Sequence, residues 1–369
     1  MTQRSKTNRR AALAVLALLG PVVAGCGDGG DPDPESSTPT EPEPTAEPAS
    51  VDWEQVTPGG DCRCADGSDY HFSVREADPH KVLLFLRAGG ACWSAATCAQ
   101  DGRNGTDEIY TPAIGGDDPT EWDGILDLAD ERNPFADHSI VFVPYCTGDV
   151  FLGDTATTYA PGLTVEHRGA ANATAALDHL AATFPDATDV VVAGVSAGSV
   201  AAPLYGGLVA DRLPEARVTV LADGSGGYPP EAGALVGGPW DVGATMPDWP
   251  GAAGLTPEQW ASPPGLYVQA GRQHPDITFA RHDYAEDDVQ VLFNDLLGIG
   301  GGAGGVTAGL AANDAAIEAA GVPVASYTAP GADHGVLGYD AFYREEVGGV
   351  TLVDWVADLV AGEPVADVR

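Results

Sequence analysis

The sequence predicts an α/β architecture: a mostly parallel sheet with helices on both faces, gathered in a single domain. Three observations predict it. From residue 51 onward, short β-branched runs alternate with helix-period stretches, the pattern of a sheet covered on both sides. The buried-strand run Val190-Val191-Val192-Ala193 passes through Gly194-Val195-Ser196-Ala197-Gly198 into a helical pattern, the strand–turn–helix context of a nucleophile elbow. His334 lies in a turn-rich loop directly after the last apolar run, where an α/β-hydrolase-like fold delivers its base.

Taken in chain order, residues 1–25 carry four cations, no acid and an apolar run over 11–24. That is the anatomy of a secretory signal, and the run is too short to stay as a spanning helix. It ends in Val23-Ala24-Gly25-Cys26, which resembles a bacterial lipobox, so Cys26 is expected to become the lipidated first residue. The mature chain is then expected outside the cytoplasm, held to the cell membrane by that lipid. Residues 26–50 hold six prolines among acidic and small polar residues, too little apolar surface to offset ordering entropy, and read as a stiff tether.

Residues 51–369 form the expected catalytic domain. Candidate strands are 82–86, 140–143, 190–193, 218–221, 266–269 and 322–327, with helical patterns over 165–184 and 196–213. The stretch 298–305 holds six glycines and is expected to be a loop, because glycine loses the most backbone entropy on ordering. It lacks the Lys of a P-loop and a strong preceding strand, so phosphate binding is not expected.

Charge narrows the partners. The 54 acidic and 17 basic residues of the 369 give a net charge of −37, and loss of the four leader cations takes the mature chain to about −41. A polyanion must approach such a surface against its field, which excludes nucleic acid. A soluble monomer apart from its anchor is expected.

The elbow carries the chemistry. Small residues at 194 and 198 permit the tight turn, and Ser196 is lifted to a helix N-terminus. A serine hydroxyl needs an imidazole to take its proton and an acid to fix the imidazole tautomer. Of the eight histidines, His334 is in the right place, whereas His71, His80, His138, His167 and His179 read as surface or structural residues. The order Ser, acid, His leaves Asp223, Asp276, Asp283, Asp287, Asp288 and several other acids open.

These motifs resemble the pectin acetylesterase and Notum family of serine carboxylesterases, between about residues 64 and 355. The similar blocks are Cys64-Ala65-Asp66-Gly67-Ser68, Leu84-Phe85-Leu86-Arg87-Ala88-Gly89-Gly90-Ala91-Cys92-Trp93, Pro144-Tyr145-Cys146-Thr147-Gly148-Asp149 and the elbow. The chain departs from the pattern at Arg87, Ala88 and Ala91. The resemblance implies that Asp287 of Asp287-Asp288-Val289-Gln290 is the acid, with Asp288 its neighbouring rival. It implies oxyanion donors at the amides of Gly89, Gly90 and Ala197, and a Cys64–Cys146 disulfide. Cys92 and Cys98 are close enough to clip the loop after the oxyanion strand, which leaves Cys62 free or exchanging with Cys64. Cys62-Arg63-Cys64 has the wrong interval for zinc.

The expected activity is therefore acyl transfer to water from a carboxylic ester, an O-acetylated glycan or a small ester, with no metal or organic cofactor. The alternatives are a non-catalytic binding lipoprotein on the same scaffold and a serine peptidase.

Overall fold

A computed structural model describes residues 52–99, 109–115 and 118–369. The leader, Cys26 and the tether lie outside the described residues.

Eight strands form one sheet: β1 (Glu54–Val56), β2 (Phe72–Arg75), β3 (Asp78–Leu86), β4 (His138–Val143), β7 (Asp189–Val195), β8 (Arg217–Asp223), β9 (Thr278–Tyr284) and β10 (Val324–Ala329), in the order β1-β2-β4-β3-β7-β8-β9-β10. A side hairpin pairs β5 (Thr155–Ala160) with β6 (Leu163–His167). β2 pairs antiparallel with both β1 and β4, while β4, β3, β7, β8, β9 and β10 are mutually parallel.

The period-two alternation of the strands sorts the core into two layers. Val82, Leu84, Leu86, Val190 and Val192 face one cluster, and Leu83, Phe85, Val191 and Ala193 face the other, as alternating Cβ directions require. Because both faces are covered, these strands are apolar throughout instead of amphipathic. One layer takes helices α2 (Gly169–Thr183), α3 (Ala197–Arg212) and α7 (Pro263–Gln273), and the other takes α10 (Leu352–Ala361) through Trp355, Val356 and Leu359. The short helix α1 (Ala95–Cys98) follows β3. A cap made of α4 (Glu231–Val236), α5 (Val242–Thr245) and α6 (Pro257–Trp260) is inserted between β8 and β9, and α8 (Asp288–Leu296) and α9 (Gly302–Ala319) follow β9.

Several sequence expectations change here. Residues 266–269 lie inside α7, not in a strand, because Ser262 caps the helix by accepting from the Gly265 amide at 3.2 Å and prolines occupy its first turn. The strand in that part of the chain is β9, whose Arg281, His282 and Asp283 hide it in the sequence. The helix expected over 165–184 begins only at Gly169, since residues up to His167 pair in the β5–β6 hairpin. The glycine stretch is a loop only to Gly301, and Gly302 to Gly305 open α9. Val306, Leu310 and Ile317 are buried along that helix, and their packing outweighs a propensity penalty of about 1 kcal/mol per glycine.

Between β3 and β7 the strand order reverses, with β4 on one side and β8 on the other. Ligand sites of open parallel sheets form at the carboxyl ends of strands flanking such a switch point. The site lies there.

Candidate active site

Leu86 at the end of β3 is in register with Gly194 near the end of β7, so the loop after β3 and the elbow after β7 leave the sheet side by side. Ser196 takes φ 53° and ψ −112°, a conformation that costs a non-glycine residue about 1 to 3 kcal/mol and is held by its surroundings. Its flanking glycines are required by space. A Cβ at 194 would run into the Gly198 carbonyl, and one at 198 into the Leu86 carbonyl. Ser196 is 8% exposed.

The loop from Arg87 to Gly90 is shaped from below. A side chain at 89 would strike the Tyr145 ring, and Gly90, at φ 72°, has the Ile109 carbonyl where its Cβ would be. Tyr145 is held by the Val150 amide, which donates to its hydroxyl at 2.8 Å. Asp149 is fully buried and accepts from Thr147 Oγ1 at 2.6 Å and the Gly169 amide at 2.8 Å. Burial pushes its carboxyl up to about 6 against those hydrogen bonds. Gly90 and Ala197 line the same cleft as Ser196.

The Cys64–Cys146 and Cys92–Cys98 disulfides are both present, and Cys62 is a half-buried free thiol whose pKa burial raises, with Asp61 and Asp154 adding to it. Paired disulfides are typical of chains that fold outside a reducing compartment.

Asp287 caps α8. Its Oδ1 accepts from the Val289 and Gln290 amides at 2.9 and 3.0 Å, and its Oδ2 accepts from Gln290 Nε2 at 3.0 Å and pairs with His334 Nδ1 at 2.7 Å. Each carboxylate oxygen is thus doubly satisfied with the side chain fully buried, and His334 is fixed with its proton on Nδ1. Gln290 is locked in turn, because its Oε1 accepts from the Gly227 amide at 2.8 Å. Asp288 is exposed, and its amide donates to the Ala332 carbonyl.

The remaining nitrogen of His334, Nε2, is buried and has no hydrogen-bond partner among the described residues. The loop beyond it sits close on the sheet. A Cβ at Gly335 would be 2.7 Å from Val195 Cγ1, next to the nucleophile position, and one at Gly224 would be 3.3 Å from the His334 ring.

The other acids are engaged elsewhere. Asp283 accepts from the Gly226 amide at 2.8 Å and lies 3.6 Å from Arg281, while burial lifts its pKa to about 6. Asp276 is exposed. Asp223 pairs with His282, Oδ1 to Nδ1 at 2.8 Å. Among the histidines read as structural, His138 pairs with Asp137 at 3.0 Å, and His167 is bracketed by the Thr147 carbonyl and the Tyr159 hydroxyl at 2.8 and 2.7 Å.

An apolar cleft opens from Ser196, with about 580 Å³ of atom-free space including its mouth, lined by Trp93, Val200, Tyr228, Trp240, Phe293 and Leu297 among others. Sequence reasoning missed it, together with Gln290 and the Asp223–His282 pair. The cleft residues are scattered over more than 200 positions and share no period. Gln290 alone had a signal, its place three residues after Asp287.

A strand–turn–helix elbow and a buried Asp–His pair at the carboxyl edge of a parallel sheet are the architecture of an α/β hydrolase. A pectinacetylesterase family profile matches residues 48–230. The chain is 31% identical over 120 residues to an inactive palmitoleoyl-protein carboxylesterase, notum1b, of Danio rerio, covering 32% of this chain and 82% of that one. It is 30% identical over 168 residues to pectin acetylesterase 11 of Arabidopsis thaliana, covering 43% of this chain and only 41% of that protein's length. The crystal structure of the Wnt deacylase Notum from Drosophila superposes with a TM-score of 0.60 at 17% identity, covering 85% of this chain and 95% of that one. The chain belongs to the pectinacetylesterase family, and with it to the hydrolases that act on ester bonds.

Proposed function

We propose that the chain is an extracytoplasmic serine carboxylesterase that works through an acyl-enzyme. Ser196 attacks the ester carbonyl, His334 Nε2 takes its proton and returns it to the leaving alcohol, and Asp287 holds the imidazole in the Nδ1–H tautomer. The alkoxide rests on the amides of Gly89, Gly90 and Ala197, donors each worth about 3 to 4 kcal/mol in the transition state. Water then attacks the acyl-enzyme, with His334 as base. The observation that carries this reading is the 2.7 Å Asp287–His334 bond in a ring whose other nitrogen is buried and unpartnered.

The apolar cleft favours an acyl group larger than acetyl, since an acetyl methyl would leave most of the aromatic lining uncovered. Each added methylene buried there is worth about 0.8 kcal/mol, roughly fourfold in kcat/KM. Acetylated glycan remains a substrate the same chemistry can take, as the name of the plant relative suggests, but a net charge of −37 opposes a polyanionic chain.

Two experiments test the reading. A fluorophosphonate should label Ser196, and p-nitrophenyl esters should be hydrolysed faster from acetate towards hexanoate, with negligible cleavage of the matching anilides. Folded enzyme that neither labels nor turns over refutes it. The anchor is tested separately by palmitate incorporation, expected in the full chain and absent from Cys26→Ser.

A further inference from the structure

Asp223 ends β8 and His282 faces it across β9. Both side chains are 0% exposed, and neither enters the chemistry above. The contacts of Asp223 reach both halves of the site. Its carbonyl accepts from the Ser196 amide at 2.8 Å. Its Oδ2 accepts from the amides of Val336 and Leu337 at 2.6 and 2.9 Å, two and three residues beyond His334. Its Oδ1 is tied to His282 at 2.8 Å. One residue therefore touches the nucleophile's own backbone and the loop that carries the base.

We propose that Asp223 and His282 form a buried positioning pair that sets the His334 loop over Ser196; the proposal rests on the esterase reading. The physical basis is that two backbone N–H groups on successive residues converge on one carboxylate oxygen, a charge-assisted arrangement stronger than neutral hydrogen bonds. His282 fixes that carboxylate from the side, so it cannot rotate to release the loop.

The charges around His282 agree with this arrangement. Burial alone would lower its pKa, but the hydrogen bond and charge of Asp223, with Asp283 and Glu345 nearby, raise it above the ordinary imidazole value. The rings of Tyr284 and Tyr327 pack on it at 5.1 and 5.8 Å between centroids.

The test separates kcat from KM with p-nitrophenyl butyrate in the full-length enzyme. Asp223→Ala removes the acceptor for both loop amides and should lower kcat about 100-fold, the scale of a misplacement near 1 Å, with KM within about twofold. Asp223→Asn can turn its oxygen to the amides and its NH₂ to Nδ1 of a neutral His282, and should recover most of the lost kcat at pH 8. In ¹⁵N-histidine spectra the proton on Nδ1 of His282 should then move to Nε2. Asp223→Ala with kcat within about threefold of wild type, or a loss that Asp223→Asn does not recover, overturns the proposal. Should Asp223→Ala fail to fold, His282→Phe keeps the ring volume and deletes the lateral tie. It should lower kcat about tenfold at constant KM, and unchanged kcat overturns the proposal. Wild-type enzyme without labelling or turnover defeats the esterase reading and this inference together, whereas active wild type with unaffected variants defeats only the pair.

Discussion

Replacing Asp287 by Asn changes one atom and tests the tautomer argument directly. In the native site Oδ1 accepts from two α8 amides while Oδ2 accepts from Gln290 Nε2 and faces His334 Nδ1. An asparagine keeps its oxygen on the amides, since Asn caps a helix as well as Asp, and so places its NH₂ between Gln290 Nε2 and His334 Nδ1. Gln290 cannot answer by flipping, because that would set its own NH₂ against the Gly227 amide its Oε1 now receives. His334 must then carry its proton on Nε2, where it cannot accept one from Ser196. The expected loss in kcat is about 10⁴-fold, or 5 to 6 kcal/mol of transition-state stabilisation. The assay is steady-state hydrolysis of a p-nitrophenyl ester with the acyl burst recorded beside it, and thermal melting as the control for fold. Asp287→Asn retaining a tenth of wild-type kcat, or Asp288→Asn being the dead variant, would refute the reasoning.

Three further outcomes are expected. Ser196→Ala and Ser196→Gly should both be inactive, but the glycine variant should be the more stable by about 1 kcal/mol in denaturant titration, because it relieves the strained φ of 53°. Ala232→Phe, on the cleft wall, should shift the acyl preference toward acetate while leaving acetate turnover close to wild type; an unchanged chain-length profile would show that the acyl group lies elsewhere. Burial holds the His167 imidazole at about 4, below its unfolded value, so the folded state resists protonation. Its contribution to stability should be lost as pH drops from about 6.5 toward 4, by on the order of 2 to 3 kcal/mol; because the buried Asp149 and Asp283 carboxyls at about 6 act in the opposite sense over that window, the measurement is the stability difference between wild type and His167→Gln, which should shrink by that amount.

What the sequence revealed and what it concealed have a common physical cause. The elbow was legible because its glycines answer a local constraint, carbonyls of neighbouring segments standing where side chains would project. The strands 82–86 and 190–193 were legible because both their faces meet core. β9 was not, because its polar residues are buried on long-range partners: Arg281 on Asp314 at 2.9 Å, His282 on Asp223, Asp283 on the Gly226 amide. Periodicity registers hydrophobicity and cannot register a charge neutralised by a residue dozens of positions away. The α7 segment failed in the opposite direction, since a helix buried on nearly all sides has the same apolar run as a strand. Asp287 was named only through its resemblance to the family block, and the geometry that distinguishes it from exposed Asp288 lies in hydrogen bonds to Gln290 and His334.

The division between sheet and insertion bears on which properties of the enzyme can change independently. The glycine loop, Ser196 and Asp223 stand at the carboxyl ends of the adjacent parallel strands β3, β7 and β8, where register fixes them together: Leu86 with Gly194, Val195 with Asp223, Asp223 with His282; His334 follows β10 and is tied to this edge through the Asp223 side chain. Shifting one of them moves its neighbours through the ladder. Much of the cleft wall instead comes from the cap between β8 and β9, through Tyr228, Ala232, Val236, Trp240 and Ala261, which no ladder bond of the central sheet constrains. In the proposed mechanism, substitutions there should alter which acyl group is buried, at about 0.8 kcal/mol per methylene, without touching the amides assigned to the alkoxide. Substitutions at the strand ends act on kcat for every ester alike. Comparing acetate and hexanoate turnover across both sets of variants therefore distinguishes them: cap variants should change the ratio of the two rates, and strand-end variants should lower both while preserving it.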